Sequence, residues 1–356
     1  MTTVGRDSLH AFLREGFVAL GLTSGDANIF ADALIFSELR FHPGHGQGVR
    51  RIRRYQERIN DKLVDPRAPW DIVKQSPALA LVDAHNGIGT VAAAKAMKLA
   101  IDKAKVSGIG TVIVRNSTHY GSSAVHACQA VEAGCIGIAY TNAGPEMAPW
   151  GAREGAVGTN PWSIAAPTDM GFPAVMDIAL TTAGKGMMLW HSREGKRMPT
   201  DWALTPAGEI TDDPDAAMKG ALLGIGEYKG YGLAFMTDVL TGVIGGGGFG
   251  LTPYADQAKL DVSHSLTAID IEWFMPRAEF EKRMGEFGKM VKSRALRPGF
   301  KEVLIPGEQE ARRVSKKSKN GVPLDSEVLA DLQALGKELN LKSGIEVIGP
   351  YTEAKL

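Results

Sequence analysis

Apolar positions along the chain fall into two rhythms. Leu9, Phe12, Leu13, Phe17 and Leu20 recur three and four apart and predict a helix over 8–22, stopped by Gly21. A second helix is predicted over 25–40, with Ser24 as its cap and Ile29, Phe30, Ala33, Leu34 and Ile35 inside. A third, over 49–62, sets Val49, Ile52, Tyr55 and Ile59 against Arg50, Arg51, Arg53, Arg54 and Arg58. The same spacing predicts helices over 90–107, 123–133, 233–244, 280–291 and 324–339, the last capped by Asp325, and one beginning near Thr181. Short β-branched or alternating runs predict strands at 79–82, 111–114, 136–140, 163–167, 174–178 and 268–274. Strands alternating with small-residue helices predict a layered α/β core. We divide the chain into a helical domain of residues 1–78 plus 305–356 and an α/β core of residues 79–304.

Composition narrows the function. The 356 residues carry 40 basic and 40 acidic side chains and are 44% hydrophobic, enough for a large core without a basic footprint for nucleic acid. The basic tract at 312–319 is expected to be a solvated loop. Two cysteines, Cys128 and Cys135, form no disulfide framework and suit a reducing compartment, so a cytoplasmic protein is expected. No leader pattern opens the sequence, and no run of 18 apolar residues suggests a membrane span.

The candidate chemistry gathers at 112–161. A strand there runs into RNSTHYG at 115–121, and the next strand runs into Thr141 and Asn142. His119 and Asn142 thus sit at the carboxyl ends of predicted strands, where open α/β sheets bind ligands. The glycine run 245–250 spells G-x-G-x-x-G, but a helix precedes it and no helix start follows. It is therefore not a dinucleotide fingerprint and is expected to be a flexible connector. Histidine spacing gives no metal set and no nucleophile elbow occurs, so no metal is expected. His45 lies in a Gly-rich loop, Arg51 is a guanidinium suited to a carboxylate, and Tyr228 and Lys229 sit between glycines at a helix start.

Read together, several segments resemble the malate/L-lactate dehydrogenase-type oxidoreductases that lack a classical Rossmann fold. These are RNSTHYG at 115–121, TN at 141–142, APWG at 148–151, GTNP at 158–161, MD at 176–177, PTDWA at 199–203, GEYKGYG at 226–232 and IPGE at 305–308. The resemblance runs from about residue 8 to 340. It implies a non-Rossmann α/β core with a helical domain, an NAD(P) cofactor, a small carboxylic acid substrate and a homodimer with its site near the interface. It makes His119 and His45 the proton-handling pair, and Arg51, Tyr55 and Asn142 substrate residues. Cofactor contacts fall on Met176, Asp177, Ile178, Thr181, Tyr228, Lys229, Gly307 and Glu308. The loop departs from the family's Ser-His-Gly pattern, reading GHGQGV at 44–49, so Gln47 competes with His45 for that position.

The activity this implies is interconversion of a 2-hydroxy acid and a 2-oxo acid by hydride transfer. A cyclic imine or keto-sugar acid reductase is the alternative, and an inactive nucleotide-binding homologue or a histidine hydrolase or lyase are rivals. NAD is favoured; NADP would need an arginine such as Arg193 or Arg197 near the ribose.

Overall fold

The computed structural model describes residues 1–41, 48–256 and 258–351. The predicted loop residues His45 and Gln47 lie outside that set.

The chain opens with strand β1 (Thr2–Val4) and helices α1 (Arg6–Ala19), α2 (Ser24–Arg40) and α3 (Arg51–Asn60). Leu9, Phe12, Leu13 and Phe17 are the buried face of α1, as their spacing requires. Phe17 stacks on Phe30 at 4.2 Å, and Phe30 meets Tyr55 edge-on at 4.6 Å. Thr23, not Ser24, caps α2, its hydroxyl accepting the Asp26 N–H at 3.1 Å.

The core begins with β2 (Asp71–Gln75), antiparallel to β3 (Leu79–Asp83). Helix α4 (Gly89–Ser107) crosses to β4 (Ile109–Ser117), which is parallel to β3. Helix α5 (Ser123–Glu132) leads to β5 (Cys135–Thr141), followed by β6 (Trp162–Ala166) and β7 (Ala174–Ile178). Then come α6 (Lys185–Arg193), the ribbon β8 (Ala203–Leu204) and β9 (Ile210–Thr211), α7 (Pro214–Lys219) and α8 (Tyr228–Asp238), which widens into a π-helix over Val239–Val243. The chain returns as β10 (Val262–Asp270) and α9 (Arg277–Lys292). The seven-stranded mixed sheet has the order β2-β3-β4-β10-β5-β6-β7, so a late strand lies antiparallel between the parallel β4 and β5.

The chain closes with α10 (Glu308–Asn320), β11 (Val322–Leu324), α11 (Ser326–Glu338) and β12 (Val347–Pro350). Strands β11 and β12 flank β1. Two compact units result, residues 1–67 with the segment from 308 onward, and residues 68–307. Because β2 pairs with β3, residues 71–75 belong to the sheet, and the first unit contains a small sheet as well as helices.

Four further expectations need correction. The basic tract at 312–319 lies within helix α10, and Lys317 is buried, its ammonium donating to the carbonyls of Glu38 (2.7 Å) and Phe41 (2.6 Å). The glycine run is packed rather than flexible: a Cβ on Gly247 would strike Ser263 Oγ, and one on Gly248 the Asp261 carbonyl. Strand β10 starts six residues earlier than the apolar pattern predicts, because Ser263, His264 and Ser265 are buried there despite their polarity. Asp325 stands at the cap of α11 but makes no side-chain cap bond.

Candidate active site

Strand directions bring the carboxyl ends of β4, β5 and β7 and the amino end of β10 to one edge of the sheet. His119 lies just beyond β4. Its predecessor Thr118 is buried, its hydroxyl accepting the Gly89 N–H at 2.9 Å and donating to the Gly87 carbonyl at 3.0 Å. His119 Nδ1 accepts the Gly121 N–H at 3.1 Å, which assigns the ring proton of the neutral form to Nε2. Its successor Tyr120 is buried against two imidazoles, 4.7 Å from His264 in a stacked arrangement and 4.8 Å from His126. Burial pushes the Tyr120 phenol up, and its hydroxyl lies 2.5 Å from Ser123 Oγ. The same burial lowers His126 to about 4 and His264 to about 3, so both rings are neutral near pH 7.

Asn142, at the end of β5, is buried and holds the edge together. Its carbonyl accepts the Ser263 N–H at 2.8 Å, and its amide donates to the Gly248 carbonyl at 2.6 Å. Asn160 does similar work, accepting from Ala143 N–H (2.9 Å) and donating to the Ala234 carbonyl (2.8 Å). The carboxylate of Asp238, where α8 widens, faces these two amides and the Gly250 N–H, but none makes a hydrogen bond of ordinary geometry. Burial raises its carboxyl above the usual range.

Asp177, on β7, caps α5 from a distant part of the chain. One carboxylate oxygen accepts from Ser122 Oγ at 2.8 Å and from the Ala124 N–H at 3.1 Å. Met176 and Ile178 are its partly buried neighbours on β7. Thr181 bridges to Gly224, and Ile225 N–H donates to the Leu180 carbonyl at 2.8 Å, so the start of α8 with Tyr228 and Lys229 lies beside the exit of β7. Tyr228 is exposed, with Trp150 at 6.3 Å. Val175 N–H donates to the Pro306 carbonyl at 3.0 Å, which sets Gly307 against β7.

These bonds gather the cofactor candidates from Met176 to Lys229, with Gly307, around β7, and link them to the His119 segment through Asp177. Arg51, Tyr55 and Glu308 belong to the other unit. Arg51 opens α3, Tyr55 is buried in that unit's aromatic core, and Glu308 opens α10 with Arg312 at 2.7 Å. Sequence reading missed His264, Asp238 and Ser122. A run of three polar residues, SHS at 263–265, directly before an apolar strand pattern was the available signal for the first.

A family model described as malate/L-lactate dehydrogenase matches residues 4–333. The chain belongs to this family. Malate dehydrogenase of Pyrococcus abyssi is 37% identical over 353 residues, covering 97% of this chain and 96% of the relative. The crystal structure of malate dehydrogenase from Entamoeba histolytica superposes with a TM-score of 0.92 at 28% identity, covering 96% of this chain and 99% of that one. Delta1-piperideine-2-carboxylate reductase from Pseudomonas syringae gives a TM-score of 0.83 at 27% identity, covering 94% and 100%. Membership makes this chain a nicotinamide-dependent dehydrogenase or reductase of small carboxylic acids.

Proposed function

We propose that the chain interconverts a 2-hydroxy acid and its 2-oxo acid with NAD, working as a cytoplasmic homodimer. The family match across residues 4–333 carries this reading. One feature fits a dinucleotide: the buried Thr181 hydroxyl at the exit of β7 has no hydrogen-bond partner among the described residues. Thr181, Met176, Asp177, Ile178, Tyr228, Lys229, Gly307 and Glu308 would hold it. When bound, the nicotinamide supplies or accepts the hydride at the carbon bearing the reacting oxygen. NAD is favoured over NADP because Arg197, one of two candidate arginines for a 2′-phosphate, is paired with Asp212 (3.2 Å) and Asp213 (3.6 Å).

The chain's own residues handle the proton and the orientation. His119 holds a proton at Nε2 toward the substrate oxygen, Nδ1 being committed to Gly121. The family resemblance gives the second proton-handling role to His45, or to Gln47 in its place, and the pairing with a substrate carboxylate to Arg51 with Tyr55. Asn142 acts through the backbone it ties, keeping the ends of β5 and β10 in register.

The dimer is supported by an exposed apolar stripe along α8 and its π-helical extension, formed by Leu233, Met236, Leu240, Val243 and Ile244. Both cysteines are buried thiols, a state that suits a reducing compartment. Reduction of a cyclic imine is the second reading, favoured by the likeness to the piperideine carboxylate reductase.

The deciding experiment follows loss of reduced-nicotinamide absorbance with NADH and NADPH against a panel of 2-oxo acids and cyclic imino acids. Turnover of a 2-oxo acid with NADH is expected. Turnover confined to imines selects the second reading, and nucleotide binding without turnover of any substrate overturns both.

A further inference from the structure

We infer that His264, on the late strand β10, is a positioning residue that fixes His119 relative to Asn142; the inference rests on the function proposed above. His264 is fully buried and lies in register with Val114 of β4 and Thr141 of β5. Its Nε2 is 2.8 Å from Ser117 Oγ, two residues before His119. Its Nδ1 is 2.7 Å from Thr141 Oγ1, directly before Asn142. One imidazole thus spans the exits of two strands that share no backbone hydrogen bond.

A neutral imidazole donates at one nitrogen and accepts at the other, and Ser117 Oγ and Thr141 Oγ1 can each do either, so both contacts are made in either tautomer. Every hydrogen-bonding atom of the ring is then used, and the ring has no part in proton exchange with substrate.

The ring face does a second job. Tyr120 stacks on it at 4.7 Å with planes 15° apart, and His126 also meets the tyrosine, 4.8 Å away, while its Nε2 lies 2.9 Å from the Tyr120 carbonyl. His119 is therefore bracketed by Thr118, tied to the turn at 87–89, and by Tyr120, seated on His264. Reaction geometry is sensitive to such support, since a displacement of about 1 Å at the reacting groups costs on the order of 10²-fold in rate.

The test uses His264→Phe, which keeps a flat ring under Tyr120 but removes both hydrogen bonds, with Ser117→Ala and Thr141→Val as milder variants that each remove one. For His264→Phe we expect kcat to fall about 10²-fold, with KM and the NADH dissociation constant, read by fluorescence quenching, within about threefold. Ser117→Ala and Thr141→Val should each lower kcat less, and adding either to His264→Phe should lower it no further. That non-additivity shows the three side chains acting as one unit, and a loss confined to kcat, with KM and NADH binding kept, is what a merely structural role would not produce. If Ser117→Ala and Thr141→Val both turn over like the parent, the inference fails, even should His264→Phe not fold. His119→Ala serves as the control: if it also keeps full turnover, the proposed function itself has failed.

Discussion

Two buried polar assemblies hold backbone in this protein, one in each unit, and they are built on opposite principles. In the core unit, Tyr120, His126 and His264 fix the His119 segment with neutral rings. In the helical unit, Lys317 and Glu38 hold backbone at Phe41 and Val49. Lys317 donates to the Phe41 carbonyl at 2.6 Å, and a Glu38 carboxylate oxygen accepts the Val49 N–H at 2.9 Å. Burial lowers Lys317 to about 8 and raises Glu38, while their mutual attraction opposes both shifts. Neutral groups avoid the cost of burying charge and fix rings in one geometry. A charged group makes stronger bonds to backbone carbonyls but is costly when a partner is lost.

The largest effect should come from the core assembly's product, the placement of His119. His119→Ala should lower kcat by about 10²–10⁴-fold, and steady-state kinetics checks this. Next is pH. A histidine buried neutral has a folded pKa below its unfolded value near 6.5, so the unfolded chain takes up protons first as pH falls. Stability is then full above about 6.5 and lost as pH drops toward 4, the value of His126, by roughly 3 kcal/mol for that ring. Urea midpoints between pH 7 and 4 should show this loss, and His126→Phe should flatten it. An unchanged slope in that variant would separate the acid response from the core assembly. Third, Lys317→Met should destabilise by about 2 kcal/mol by leaving two carbonyls and Glu38 without their cation. Smallest is Thr23→Ala, which should cost about 1 kcal/mol by removing the α2 cap, read from the unfolding midpoint.

Thr23 also marks the boundary of what the sequence discloses. Helix α2 was legible because its apolar spacing and its cap are neighbours, and the error of one residue, Ser24 for Thr23, is a local one. Helix α5 was equally legible, yet its cap is Asp177, brought from β7 by the sheet. No local pattern announces such a partner. The same holds for His264, whose role exists only because β10 lies between β4 and β5. The position of His119 beyond a strand was readable from the break after 112–114. Its supports at residues 87–89, 120 and 264 were not, because they meet only in three dimensions.

Strand β10 also orders events during synthesis. Strands β4 and β5 are finished by residue 141, but the strand that pairs with both starts at residue 262. A nascent chain halted before that point carries two hydrophobic strands with an unfilled slot between them, and closing it joins segments more than a hundred residues apart. Such long-range closure slows folding. Until the late strand leaves the ribosome, the facing edges of β4 and β5 are where another chain could pair.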